Sequence, residues 1–148
     1  MNIHAIGQNM LFGKVGHFLI ILSFVTSLAA CIAYFFATIF RNDSSKSFPW
    51  INFGRKLYIL HAVAVFGIMA SLLICIHGHF FEYKYVWEHT SKSLPVYYQF
   101  SAMWSGQEGS TLLWMFWHGV LGCVLIFKAK DWESPVLSIV ALAQVLLG

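Results

Sequence analysis

Long apolar runs separated by polar stretches dominate this sequence. Charged residues are absent from 15–40, 57–81 and 109–127. Each run is close to the roughly 20 residues that a helix needs to cross about 30 Å of hydrocarbon. We therefore predict three complete transmembrane helices, with approximate bounds 15–40, 57–80 and 110–127.

A fourth apolar run, residues 134–148, is shorter than a full span. About 15 residues at the helical rise reach only roughly 22 Å. Because a free carboxylate inside the bilayer is costly, we expect an incomplete fourth helix. The chain is then one unit, 1–148, the N-terminal piece of a longer membrane domain cut at Gly148.

The composition supports a membrane protein and excludes an ordinary soluble domain, since 59% of the residues are hydrophobic and only 10% are charged. The fold class expected is all-α, a polytopic membrane helix bundle. The net charge of +3 comes from dispersed cations rather than from a basic stripe. We therefore expect the lipid bilayer, and no nucleic acid, among its partners.

The cations indicate an orientation. Loop 41–56 contains four of them, and Lys128 and Lys130 follow the third helix, whereas the longer loop 82–108 contains two. Positive charge is retained on the cytoplasmic side of membrane proteins. We predict that loop 41–56 and the turn after the third helix are cytoplasmic. The N-terminus and loop 82–108 then lie on the outer side.

Seven histidines raise the possibility of haem or metal ligands. His17 is expected at the outer boundary, and His118 inside the third span on the same helix face as Trp114. His61 is expected near the cytoplasmic end of the second span, with no second histidine to pair with it. No two histidines plainly match in depth on facing helices, as a bis-histidine haem requires. The three cysteines have no zinc or redox spacing, and we predict no metal site. His17 and His118 remain candidate cofactor ligands.

Glu108 lies between Gly106 and Gly109 where the third span begins. A carboxylate in the first turn of a helix is stabilised by the helix dipole by about 0.3–1 kcal/mol, which would explain it structurally. The flanking glycines instead indicate an unusual backbone or a close approach by another segment or ligand. Both interpretations stay open, and Glu108 and Trp104 join the candidate cofactor-binding residues.

Two segments resemble a known family. "GHF" at residues 16–18 and "YYQFSAMWSGQEGSTLLW" at 97–114 are similar to the N-terminal part of the cytochrome c assembly family, the CcmF/CcsA-type haem-handling membrane proteins. The positions that match its tryptophan-glycine-glutamate motif are Trp104, Glu108, Gly109 and Ser110. Ser105 and Gln107 depart from the usual glycine and histidine, so this loop is assigned no ligand role.

The resemblance implies a multi-pass protein of the bacterial inner membrane that works in cytochrome c-type biogenesis. The complete protein would be a haem lyase component, binding and transporting haem and supporting its attachment to apocytochrome c alongside other maturation proteins. Its haem ligands would lie beyond Gly148, so we expect no haem on this piece alone, no assignable catalytic residue and no activity. Two alternatives stay open: an electron-transfer subunit binding haem b or quinone through His61 or His118, and a structural membrane subunit without a cofactor.

Overall fold

The computed structural model describes residues 3–78 and 106–148, with side chains from residue 13 onward, and isolated positions between 86 and 103. All regular structure in these residues is helical, which confirms the all-α prediction. The elements are α1 (Ile3–Ile39), α2 (Ser44–His77), α3 (Gln107–Lys128), a short 3-10 turn (Lys130–Trp132) and α4 (Glu133–Leu147).

Three helices have the length and apolar composition to cross a membrane, as predicted. The candidate spans are Gly13–Ile39, Ser44–His77 and Gln107–Lys128. The fourth helix, α4, has 15 residues and packs against α1 and α3. The molecule is therefore a multi-pass membrane protein.

The second helix begins at Ser44 rather than near Leu57, so most of the predicted loop 41–56 is helical. Asp43 is the N-cap, and its carboxylate accepts hydrogen bonds from the backbone amide and the hydroxyl of Ser45. These bonds, with the nearby Lys46 ammonium, lower the pKa of Asp43. Pro49 lies inside the helix but near its start. Proline has no amide hydrogen, so one helical hydrogen bond is lost. The carbonyl that loses its partner is close to the capped end of the helix.

The helices form a closed ring in which α1 and α3 each pack against both α2 and α4. The buried face of α1 consists mainly of small residues, among them Ser23, Ser27, Ala30 and Ala37. Large apolar side chains point outward instead, as at Phe127, which is 75% exposed. This arrangement suits a lipid environment, where small residues let helices approach and large apolar ones meet hydrocarbon.

An ion pair joins α2 to the first residue of α4. The Arg55 guanidinium donates two hydrogen bonds to the Glu133 carboxylate, at 2.7 Å from Nε and 2.5 Å from a terminal nitrogen. The Tyr34 hydroxyl of α1 lies 3.4 Å from the same carboxylate. Glu133 is only 2% exposed, so this bidentate contact satisfies a carboxylate that would otherwise be buried without a partner.

Candidate functional site

His61 lies midway along α2 and is completely buried. Its Nδ1 is 3.0 Å from the Ser23 carbonyl oxygen and 3.1 Å from the Ser23 hydroxyl, both on α1. Because a carbonyl can only accept, the Nδ1–H tautomer fits this contact. The expectation that His61 lies near the cytoplasmic end of its helix is wrong, because α2 starts at Ser44, earlier than predicted, and His61 falls at its middle.

Gln144 and Tyr58 extend this contact to the other two helices. The Gln144 side-chain amide of α4 donates to the Met115 carbonyl of α3 at 2.9 Å. The Tyr58 hydroxyl of α2 donates to the His118 carbonyl, also at 2.9 Å. Ser23, Tyr58, His61 and Gln144 are all buried, and together they form what we call the polar cluster, which connects all four helices.

Two glycines of α3 make its carbonyls accessible to the polar cluster. The helical partners of the Met115 and His118 carbonyls are the amides of Gly119 and Gly122, four residues on. A Cβ at Gly122 would overlap the Tyr58 hydroxyl and ring, whereas one at Gly119 would make ordinary contacts with Ala62 at 3.8 Å and with the Gln144 amide nitrogen at 3.9 Å. Tyr58 can therefore reach a helical carbonyl only because position 122 has no side chain.

Two buried nitrogens and one oxygen at this level have no hydrogen-bond partner among the described residues: His61 Nε2, His118 Nδ1 and Gln144 Oε1. Gln144 lies beside both Tyr58 and His61. Buried polar atoms of this kind are normally paired, because removing them from water without a partner costs free energy. The buried polar atoms without a partner among the described residues therefore lie around the polar cluster.

A cavity of about 730 Å³ lies directly above the polar cluster, at the end of the bundle where α3 begins. Its walls are mainly apolar side chains of α1, α2 and α3, including Phe24, Leu72 and Leu112. Ser23 and Met115 line it as well, and each is hydrogen-bonded to the polar cluster. The cluster thus supports the floor of the cavity.

The rim of this cavity carries polar and acidic groups. Glu88, Gln107 and Glu108 line it, and Gln107 and Glu108 are exposed. Glu108 lies in the first turn of α3 as predicted, next to the buried Gly109. Its carboxylate can therefore stabilise the helix start and also face any molecule entering the cavity.

The two predicted histidines, His17 and His118, do not join Glu108 at the cavity. His17 is exposed on α1, and the His118 ring packs edge-on against Trp114 with the ring centroids 6.5 Å apart, which confirms that these two share a helix face. Neither histidine lines the cavity. Trp104, like most of loop 82–108, lies outside the described residues.

Haem iron would need an axial ligand from the cavity walls. None of the described residues that line the cavity is a histidine or a cysteine, which are the commonest axial ligands. Within the described part of the chain there is also no group of three histidine, cysteine or acidic residues that could bind a metal ion. The described walls fit an apolar molecule or segment, and Met115 is the one residue among them of a type that also serves as a haem ligand.

Fold and site together define a helical, multi-pass membrane protein with a polar cluster beneath an apolar cavity. Comparison with known proteins adds a family. The cytochrome c-type biogenesis protein CcmF of Haemophilus influenzae is 34% identical over 68 residues, 41% of this chain and 10% of that protein. CcmF of Escherichia coli K12 is 30% identical over 106 residues, 69% of this chain and 15% of that protein.

A third relative, the cytochrome c-type biogenesis protein NrfE of Haemophilus influenzae, is 30% identical over 94 residues, 63% of this chain and 15% of that protein. These similarities confirm the resemblance to the cytochrome c assembly family. The chain spans only 10% to 15% of the length of these relatives. No family model and no solved structure matches it.

Proposed function

We propose that this chain is the N-terminal membrane portion of a cytochrome c biogenesis protein that delivers haem and supports its covalent attachment to apocytochrome c. The observation that carries the proposal is the similarity to CcmF of Escherichia coli, which extends over 69% of the chain. The partners in this proposal are haem, apocytochrome c and the other maturation proteins of a bacterial inner membrane.

Within this function, the described helices act as a scaffold rather than as the haem ligands. None of the described residues that line the cavity is a histidine or a cysteine, which supports a role in which this portion positions other parts of the protein around haem. The alternative electron-transfer function would need His61 or His118 at a cofactor surface, but His61 is completely buried and neither histidine lines the cavity. The scaffold function is therefore the one that the geometry supports better.

The orientation in this proposal puts the Glu108 rim on the outer side. Arg41, Lys46, Lys128 and Lys130 all lie at the opposite end of the bundle, where α1 and α3 finish and α2 begins. Retention of cations in the cytoplasm favours that end as the inner one. Haem and apocytochrome c would then meet at the level of the rim.

The functional test uses Glu108→Ala in the intact protein, expressed in cells that depend on it for cytochrome c maturation. Glu108 is exposed, and its loss removes at most about 1 kcal/mol of helix-dipole stabilisation. We therefore expect holocytochrome c yield, measured by haem staining, to fall several-fold while the membrane abundance of the protein changes little. Glu108→Gln removes the negative charge and keeps the shape of the side chain, so it separates the effects of the two.

Lys128→Ala is the matched control, because Lys128 is an exposed, charged residue at the other end of the same helix. It should leave both yield and abundance unchanged. Parallel losses of yield and abundance in Glu108→Ala would make Glu108 structural. Unchanged yield in both variants would remove the rim from the proposed function.

A further inference from the structure

A second cavity, of about 800 Å³, lies at the opposite end of the bundle from the Glu108 rim. It is lined by the residues that follow α1, the first turns of α2, the 3-10 turn and the beginning of α4. Its lining combines polar and charged residues, among them Arg41, Ser44 and Lys130, with the apolar Phe48 and Ile51.

No ion pair between described residues neutralises the charges that line this cavity. The two salt bridges found within the described residues use Lys46 and Arg55, and neither of these lines the cavity. Arg41 and Lys130 have no carboxylate within salt-bridge distance among those residues. The cavity wall also contains one carboxylate, Asp131, so two cations and one anion leave a surplus of one positive charge.

The Arg41 guanidinium is held in place by an aromatic ring. Its central carbon lies 5.2 Å from the centroid of the Trp132 ring, a distance at which a cation is attracted to the ring face. Arginine in this setting still has its hydrogen-bond donors available for the oxygens of a phosphate. The cavity therefore presents a positioned guanidinium and a nearby lysine.

The cavity is at the level where a membrane surface meets water. The first span ends at Ile39, two residues before Arg41, and Phe48 and Trp132 are 62% and 64% exposed. Exposed aromatic side chains together with cations are typical of the interface between headgroups and hydrocarbon. A molecule bound here can place a charged group against Arg41 and Lys130 and an apolar group along Phe48 and Ile51.

We propose that this cavity binds the phosphate headgroup of an anionic phospholipid, with the start of its acyl chains along Phe48 and Ile51. A phospholipid matches both the charged and the apolar lining residues, whereas free phosphate matches only the charged ones. The negative charge of the headgroup complements the surplus positive charge. This proposal is independent of the proposed function, because it uses none of the residues around the Glu108 cavity.

The test measures the thermal unfolding of the intact protein in a neutral detergent, with phosphatidylglycerol, phosphatidylcholine or inorganic phosphate added. Ligand that binds the folded state raises the unfolding temperature. We expect phosphatidylglycerol to raise it more than phosphatidylcholine, and inorganic phosphate to have no comparable effect. The Arg41→Gln/Lys130→Gln variant should lose most of the extra shift, and Asp131→Asn should increase it.

Lys56→Gln/Lys128→Gln is the control, because these two exposed lysines carry the same charge but do not line the cavity. It should keep the full response to phosphatidylglycerol. If the Arg41 variant proves too unstable, the exposed Lys130→Gln alone should show a reduced shift, and native mass spectrometry should show fewer retained phosphatidylglycerol molecules. Equal responses to the two lipids, an unchanged response in the cavity variants, or a full response to inorganic phosphate would each overturn the proposal.

Discussion

The glycine pair of α3 offers a matched test of the polar cluster. Gly119 and Gly122 lie one turn apart on the same helix, and both are buried. An alanine Cβ at position 119 would make an ordinary contact with Ala62 at 3.8 Å, whereas one at position 122 would overlap Tyr58. The same substitution is therefore expected to have opposite effects at the two positions.

The magnitudes follow from three terms. Alanine is favoured over glycine inside a helix by about 1 kcal/mol, so Gly119→Ala should be neutral or stabilising by up to about that amount. At Gly122 the overlap costs roughly 1–3 kcal/mol. Losing the bond between the Tyr58 hydroxyl and the His118 carbonyl costs about 0.6–1.7 kcal/mol in a membrane protein. After the helix-propensity gain, the net destabilisation is roughly 1–4 kcal/mol.

The measurement is the free energy of unfolding of the intact protein in bicelles, obtained by titration with SDS. Tyr58→Phe serves as a second perturbation, because it removes the same hydrogen bond and keeps the ring. The Gly122→Ala/Tyr58→Phe double variant should lose less stability than the two single variants added together, since the bond can only be lost once. If Gly122→Ala were as stable as Gly119→Ala, the close contact of Tyr58 with α3 described above would be refuted.

Two further predictions concern the ends of the bundle. Arg55→Gln should destabilise the protein more than Glu133→Gln, because it leaves a buried carboxylate unpaired. For Arg55→Gln we expect a loss of about 2 kcal/mol in the free energy of unfolding by the same SDS titration. This is below the roughly 3–5 kcal/mol of a fully buried pair, because Arg55 is partly exposed. Equal losses would refute this asymmetry. In a background without native cysteines, Gln107→Cys should react with an impermeant thiol reagent added outside spheroplasts, and Lys130→Cys should react only after lysis. The reverse pattern would invert the orientation.

The number of long apolar helices could be predicted from the sequence, because a bilayer imposes a single dominant requirement on length and apolarity. The start of α2 could not. The residues "RNDSSKSFPW" contain both a helix-starting signal at Asp43 and a helix-breaking one at Pro49. The structure follows Asp43, and Pro49 is tolerated close to the capped end. When one residue favours a helix start and a nearby one opposes a helix, the sequence alone does not show which effect prevails, because the outcome depends on the surrounding packing.

The polar cluster was missed for a different reason. Ser23 and Gln144 are unremarkable in isolation, and their pairing with His61 and the Met115 carbonyl depends on which helix faces meet. One usable signal was present: the glycines of "HGVLG" are three residues apart, a spacing that places them on one helix face. Small residues on one face indicate close helix packing in membranes, but they do not reveal that a tyrosine and a glutamine fill the space.

The position of the polar cluster also decides how effects on folding can be separated from effects on function. Ser23 and Met115 belong both to the cavity floor and, through their hydrogen bonds, to the cluster that joins the helices. Changes at the floor therefore alter helix packing and cavity shape together. Glu108 lies at the exposed rim and is not a member of the polar cluster. Rim substitutions are thus the ones that can report on the proposed role in cytochrome c maturation, whereas floor substitutions report first on assembly of the bundle.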